Sequence, residues 1–419
     1  MSEVFCNGSW VARDDARVSA FDAGMTHGVG LFETMSGRID GAQGPQIARL
    51  GDHLARLERS ARELGLVDNL RTTPLGDAAL EAVAKAGRAG EHVRVRLTIT
   101  GGDLNLLQTS GQSQHTPTVL INATPATAYP EAMFERGIGL TIADSKANPL
   151  DPTASHKTLN YWWRLRELQQ AARKGAGEAL VLQVTNHVCG VCVGNLFVVS
   201  GGVLRTPIAR GEETEGGIPS PVMPGVTRAA VIEAASAMGI GCERAMLGVG
   251  DVLDADEVFI TNSSWGVLPV VKLEAEAIGD AVPGEITTRV RAALLADASA
   301  WARAVYPTGP GIVGPLPDTR WRTPAAVRAE RSVFPPLRPA GEESGRVPRL
   351  VRACAHARMY AQKDNRPGVR PGRREKAERC KAACGRASRS VAIRRDGGER
   401  RRGRPSRAGP RRRASGRCS

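Results

Sequence analysis

Residues 224–239, PGVTRAAVIEAASAMG, and residues 255–270, ADEVFITNSSWGVLPV, decide how the fold is read. In the first stretch Pro224-Gly225 precedes an apolar run of helical spacing that Gly239 closes, the punctuation of a helix start and stop. In the second, Val258-Phe259-Ile260 is an apolar strand that ends in Thr261-Asn262-Ser263-Ser264, and another strand follows near 268–273. A helix start exposes backbone N–H groups without intrahelical partners at the positive end of the dipole, so it suits an anion. Thr227 adds a hydroxyl there, and Gly225 lets the backbone come close. Hydroxyls at the end of a buried strand often face a ligand, although by itself the TNSS run also reads as an ordinary turn.

Working outward, residues 158–174 read as a helix, 178–185 as a strand, and 196–199 and 203–206 as further strands, with a last helix over about 285–298. Upstream, residues 46–65 place Leu50, Leu54, Leu57, Ala61 and Leu64 on one helical stripe, and 77–88 is another helix candidate. Val93 to Thr100 alternates with period two, which puts Arg94 and Arg96 on one strand face. Residues 1–40 read as short strands and turns, and Thr124–Glu131, TPATAYPE, as a linker. Strands and helices alternate, so the expected class is mixed α/β (α+β) in two lobes. The expected units are a smaller domain over 1–123, a linker over 124–132 and a larger domain over 133–300.

The formal net charge of +14 hides two unlike parts. Residues 301–419 carry 31 Lys+Arg and 9 Asp+Glu, which leaves 26 basic and 34 acidic groups for residues 1–300. The back of the chain is rich in Arg, Pro, Gly and Ser and lacks apolar periodicity, so it is expected to be a disordered basic tail. Nonspecific nucleic-acid contact is one reading of that charge. An accreted tail without a role is the favoured one, because no aromatics interleave the final basic run. Cys189 and Cys192 form a CxxC within an apolar run and lack a second pair at zinc spacing, so they read as buried thiols and no metal is expected. The N-terminus shows no signal-peptide pattern. The apolar run 179–203 is broken by Asn186, His187, Asn195 and glycines, which fits two buried strands better than a membrane helix. A cytoplasmic protein is the expectation.

Two further residues suggest chemistry. Arg56, in HLARL at 53–57, presents a planar fork suited to a phosphate. Lys157, in SHKTLNYWW at 155–163, sits among Leu, Tyr and Trp. Desolvation there would lower its pKa and free the amine for Schiff-base formation.

Taken in order, these blocks resemble the class IV aminotransferases, the fold type IV pyridoxal-phosphate enzymes, over about residues 4–290. The blocks are THGVGLFET at 26–34, HLARLERSA at 53–61, HKTLNY at 156–161, GEALVLQ at 177–183, GNLFVV at 194–199, TP at 206–207, PGVTR at 224–228 and ADEVFITNSSWGVLPV at 255–270. The resemblance implies pyridoxal 5'-phosphate as cofactor and Lys157 as the Schiff-base lysine and proton-transfer base. It implies Arg56, the N–H groups of Val226 and Thr227, and Ser263 as phosphate ligands, and Tyr161 near the cofactor's phenolic oxygen. His27 and Thr34 would line the substrate pocket, and Arg94 or Arg96 would meet a substrate carboxylate, with one of the two pointing inward. A homodimer acting on an amino acid and a 2-oxo acid follows from the same resemblance.

The chain departs from that pattern at one place. The family carries a glutamate five residues before the asparagine of its NLF motif, where it holds the proton on the pyridine nitrogen. Here that position is Gly190. Three functions follow as expectations: a branched-chain aminotransferase, a 4-amino-4-deoxychorismate lyase releasing pyruvate, and a protein that binds pyridoxal phosphate with impaired catalysis.

Overall fold

The apolar alternation of the N-terminal third forms one antiparallel sheet. The structure is a computed structural model and describes residues 3–103 and 117–297. Its first lobe contains β1 (Glu3–Cys6), β2 (Ser9–Ala12), α1 (Ala23–His27), β3 (Gly30–Asp40), β4 (Gly44–Ile47), α2 (Leu50–Glu63), α3 (Thr72–Ala86), β5 (His92–Thr100) and β6 (Val119–Pro125). The six strands lie in the order β2-β1-β6-β5-β3-β4. Leu54, Leu57 and Ala61 of α2 and Ala79 and Val83 of α3 are buried in one cluster with Leu31, Met35, Val95 and Leu97 of the sheet, as the helical stripe requires.

The second lobe contains α4 (Ala132–Glu135), β7 (Ile138–Ala147), α5 (Trp162–Arg173), β8 (Glu178–Gln183), β9 (Val188–Val191), β10 (Asn195–Ser200), β11 (Val203–Pro207), α6 (Val226–Ala237), β12 (Cys242–Ala245), α7 (Val249–Leu253), β13 (Glu257–Asn262), β14 (Gly266–Leu273), β15 (Glu276–Ala277) and α8 (Glu285–Ala296). Its nine strands form a mixed sheet in the order β12-β11-β10-β13-β14-β7-β8-β9, with β15 paired to β14. The pairs β7/β8, β7/β14 and β11/β12 are parallel. Phe197 and Phe259, stacked at 5.0 Å, pack beneath α6 and α8. Among the described residues no helix is long and apolar enough to cross a membrane.

Three elements differ from expectation. The first forty residues are not all short strands: β3 runs for 11 residues because nine of them pair with β5. The helix expected from residue 158 begins at Trp162, because the segment before it is drawn onto β3. Phe32 N donates to Lys157 O at 2.9 Å and Leu159 N to Gly30 O at 3.0 Å. Strand β6 continues to Pro125, opposite Val93, and so enters the expected linker. The basic tail over 301–419 lies outside the described residues.

Candidate active site

Six separate pieces of chain meet at a cavity of about 510 Å³ between the two sheets. Period-two alternation turns Phe32 and Thr34 of β3 into it, along with Arg94 and Arg96 of β5. Arg56 enters from α2, Lys157 and Tyr161 from the segment ahead of α5, Val226 and Thr227 from the start of α6, and Ser263 from the β13–β14 turn. Helix α6 has Gly225 as its N-cap and no side-chain cap, so its first N–H groups remain available. A side chain at 225 would collide with the Asn195 carboxamide. That carboxamide donates from Nδ2 to Met223 O at 2.9 Å and so pins the turn before the helix.

The charged side chains that line the cavity are Arg56, Arg94, Arg96 and Lys157; no carboxylate is among its described lining residues. The Arg96 guanidinium lies 3.5 Å from the Phe32 ring centroid and Lys157 Nζ lies 4.5 Å from it, while Phe32 meets Tyr161 edge-on at 5.2 Å. Burial lowers the Lys157 pKa, and the nearby Arg56 and Arg96 charges add to the effect against Tyr161 and Glu33. A lysine amine that is more easily deprotonated is a nucleophile and a base. Thr227 Oγ1 and Ser263 Oγ stand 3.5 Å apart at one end of the cavity. Thr261 Oγ1 and Trp265 Nε1 line the same cavity and are buried without hydrogen-bond partners, an arrangement that favours a polar ligand.

Most of the residues singled out in the sequence come together here: Arg56, Thr34, Arg94, Lys157, Tyr161, Val226, Thr227 and Ser263. His27 does not. It ends α1 exposed to solvent, with Nδ1 at 2.7 Å from Thr26 Oγ1, because Gly28 turns the chain away before β3 begins. The expectation that only one of Arg94 and Arg96 points inward is also corrected, since the two residues share a strand face and both line the cavity. Gly190 lies within β9 with φ of +133°, and a Cβ there would sit 2.8 Å from Gly194 O. The backbone itself therefore excludes a side chain. Burial raises the thiol pKa of both Cys189 and Cys192, that of Cys189 to about 11, so these are inert thiols.

Sequence reasoning missed Glu33 and His53. Glu33 is 1% exposed and His53 2%. Glu33 Oε1 accepts from Arg56 Nε at 2.8 Å, while its Oε2 accepts from Arg56 Nη2 at 2.6 Å and lies 2.8 Å from His53 Nδ1. Period two gives the reason: Phe32 and Thr34 face the cavity, so Glu33 faces the other way, toward α2. The available signal was HxxR in α2, whose three-residue spacing puts both side chains on one helix face.

The profile of the family Amino-transferase class IV matches residues 30–273. The chain belongs to the class IV aminotransferase family. A putative branched-chain-amino-acid aminotransferase of Methanocaldococcus jannaschii is 29% identical over 305 residues, which span 73% of this chain and 99% of that protein. The crystal structure of the branched-chain amino acid aminotransferase of Escherichia coli is 26% identical with a TM-score of 0.63, over 70% of this chain and 93% of that one. The 4-amino-4-deoxychorismate lyase of Pseudomonas aeruginosa is 26% identical with a TM-score of 0.58, over 70% of this chain and 99% of the lyase.

The cofactor of this family is pyridoxal 5'-phosphate, and the residues present fit it. The glycine cradle at 225, the free N–H groups of α6, two hydroxyls and a guanidinium suit the phosphate, and a half-buried lysine stands beyond them.

Proposed function

We propose that the chain is a pyridoxal-phosphate-dependent aminotransferase that moves an amino group between an amino acid, branched-chain by preference, and a 2-oxo acid, with Lys157 carrying the cofactor. The observation that supports this reading is the meeting of Lys157, Arg56, the start of α6, Thr227 and Ser263 at one cavity that no carboxylate lines among the described residues. The cofactor, when bound, supplies an aldehyde that condenses with amines and a ring that withdraws electrons from the substrate's α-carbon. Arg56, the N–H groups of Val226 and Thr227, and the Thr227 and Ser263 hydroxyls hold the phosphate. Tyr161 orients the ring from beside Phe32. Lys157 Nζ, its pKa lowered by burial, takes and returns the proton at the α-carbon. Arg94 and Arg96 receive substrate carboxylate, while Phe32, Leu159, Leu165 and Trp265 supply apolar walls and exclude water from the reacting atoms. The protein is proposed to act as a cytoplasmic homodimer.

The presence of both arginines, Arg94 and Arg96, favours a second reading, a lyase that cleaves the enolpyruvyl C–O bond of a cyclic dicarboxylate, eliminating pyruvate as the ring becomes aromatic. The test gives the full-length protein pyridoxal phosphate with leucine and 2-oxoglutarate in one assay and aminodeoxychorismate in the other. Formation of the branched oxo acid supports the transferase, and release of pyruvate with 4-aminobenzoate supports the lyase. Lys157→Ala is expected to lose both activities, along with covalent capture of the cofactor on borohydride reduction. A variant that still captures it would refute the role of Lys157.

A further inference from the structure

Behind the proposed phosphate cup lies a buried network whose hub faces away from the cavity. Its hub is Glu33 on β3, and it reaches the cup by two routes. On one side the Glu33 carboxylate takes Nε and Nη2 of Arg56, and Arg56 Nη1 donates to Pro224 O at 3.2 Å, just ahead of α6. On the other side Glu33 holds His53 Nδ1, and His53 Nε2 lies 3.4 Å from Ser263 Oγ. The two arms thus end on the two walls of the cup, the start of α6 and the β13–β14 turn.

The chemistry of the hub fixes the proton positions. Burial alone would raise the Glu33 pKa, but the Arg56 charge and the His53 and Arg56 hydrogen bonds outweigh it and hold the carboxyl well below the usual range. An ionised carboxylate only accepts, so His53 Nδ1 carries the hydrogen. Burial keeps the His53 pKa low, and the Arg56 and Lys157 charges act in the same direction against Glu33. The ring is therefore neutral near pH 7, and its Nε2 accepts from the Ser263 hydroxyl. The Arg56 fork is fixed in the same way. With Nε and Nη2 committed to Glu33 and Nη1 to Pro224, the outer N–H of each terminal nitrogen remains for a ligand in the cavity that Arg56 lines.

We propose that Glu33 is a positioning residue for the phosphate cup, aiming Arg56 through one arm and setting the His53 tautomer, and with it the Ser263 hydroxyl, through the other. The inference rests on reading the cup as the site of the cofactor's phosphate. It assigns to Glu33 selectivity for an aldehyde that bears a phosphate over the same aldehyde without one. A part needed only to keep the lobe folded would weaken both aldehydes alike.

The experiment titrates the full-length apo-protein with pyridoxal 5'-phosphate and with pyridoxal, following absorbance, for the wild type, Glu33→Gln and His53→Gln. In Glu33→Gln the dissociation constant for pyridoxal phosphate is expected to rise about ten- to a hundredfold, the weight of misdirected charge-assisted hydrogen bonds. That for pyridoxal stays within about twofold of the wild-type value, the two losses differing because only one ligand carries the phosphate. His53→Gln, which leaves the Glu33–Arg56 pair intact, shows a smaller loss in the same direction and decides the matter if Glu33→Gln does not fold. Wild-type selectivity in a folded variant, or a proportional loss for both aldehydes, overturns the positioning role while leaving the cofactor reading intact. A wild-type protein that does not prefer pyridoxal phosphate over pyridoxal overturns the phosphate cup and this role with it.

Discussion

Replacing Glu178 with Gln should remove a pH-dependent loss of stability. Glu178 opens β8 with 1% of its surface exposed, and its carboxylate accepts from Ala179 N at 2.9 Å and Val193 N at 3.1 Å. Burial outweighs those bonds and raises its pKa from 4.5 to about 7. The folded chain therefore holds a proton that the unfolded chain has already released, so this contribution is fully present below about pH 4.5 and is lost as pH rises through about 7. At roughly 1.4 kcal/mol for each pH unit between those values the loss amounts to about 3 kcal/mol. Glutamine retains one acceptor oxygen and does not titrate, so its cost is the same at every pH. Glu33 and Glu212, whose pKa values are lowered, contribute in the opposite sense, but they do so in both proteins and cancel in the difference. Urea unfolding followed by tryptophan fluorescence, from about pH 4 to about pH 8, should therefore show the stability of Glu178→Gln gaining about 3 kcal/mol on the wild type across that range. A gap that stays constant with pH would refute the assignment of a buried, partly protonated Glu178.

Two substitutions test the surroundings of the site. Gly190→Ala should cost about 1–3 kcal/mol, measured as a shift in denaturant midpoint, because φ of +133° and the Gly194 carbonyl leave no room for a Cβ; wild-type stability would show that the β9 backbone relaxes readily. His27→Ala should leave cofactor affinity and turnover within about twofold of wild type, as expected of an exposed side chain outside the cavity; a larger fall in kcat/KM would restore the substrate role suggested by its motif.

The order of elements and most of the site were legible because they rest on local signals. The 3.6-residue stripe of α2, the alternation of β5 and the Pro-Gly before α6 each occupy a few consecutive residues, and the motif blocks supplied their common purpose. What escaped notice depends on distant partners. Glu33 lies 20 residues from His53 and 23 from Arg56, and nothing in LFETM marks its carboxylate as the one that faces α2. Helix α5 starts only at Trp162 because pairing with β3, a tertiary event, claims the segment before it. His27 was carried in by its motif, and the left-handed turn at Gly28 that takes it away has no counterpart in side-chain chemistry. At Gly190 the sequence revealed a missing carboxylate; only the backbone angle and the approach of Gly194 showed that the position admits no side chain.

The attachment of the Lys157 segment to β3 has a mechanical consequence. The lysine belongs by chain connectivity to the larger lobe, yet its carbonyl and the N–H of Leu159 are bonded to the smaller one. Prying the lobes apart at this seam would pull Lys157 away from its own scaffold. The seam therefore works as a clasp that holds Lys157 in register with the cavity-facing side chains of β3.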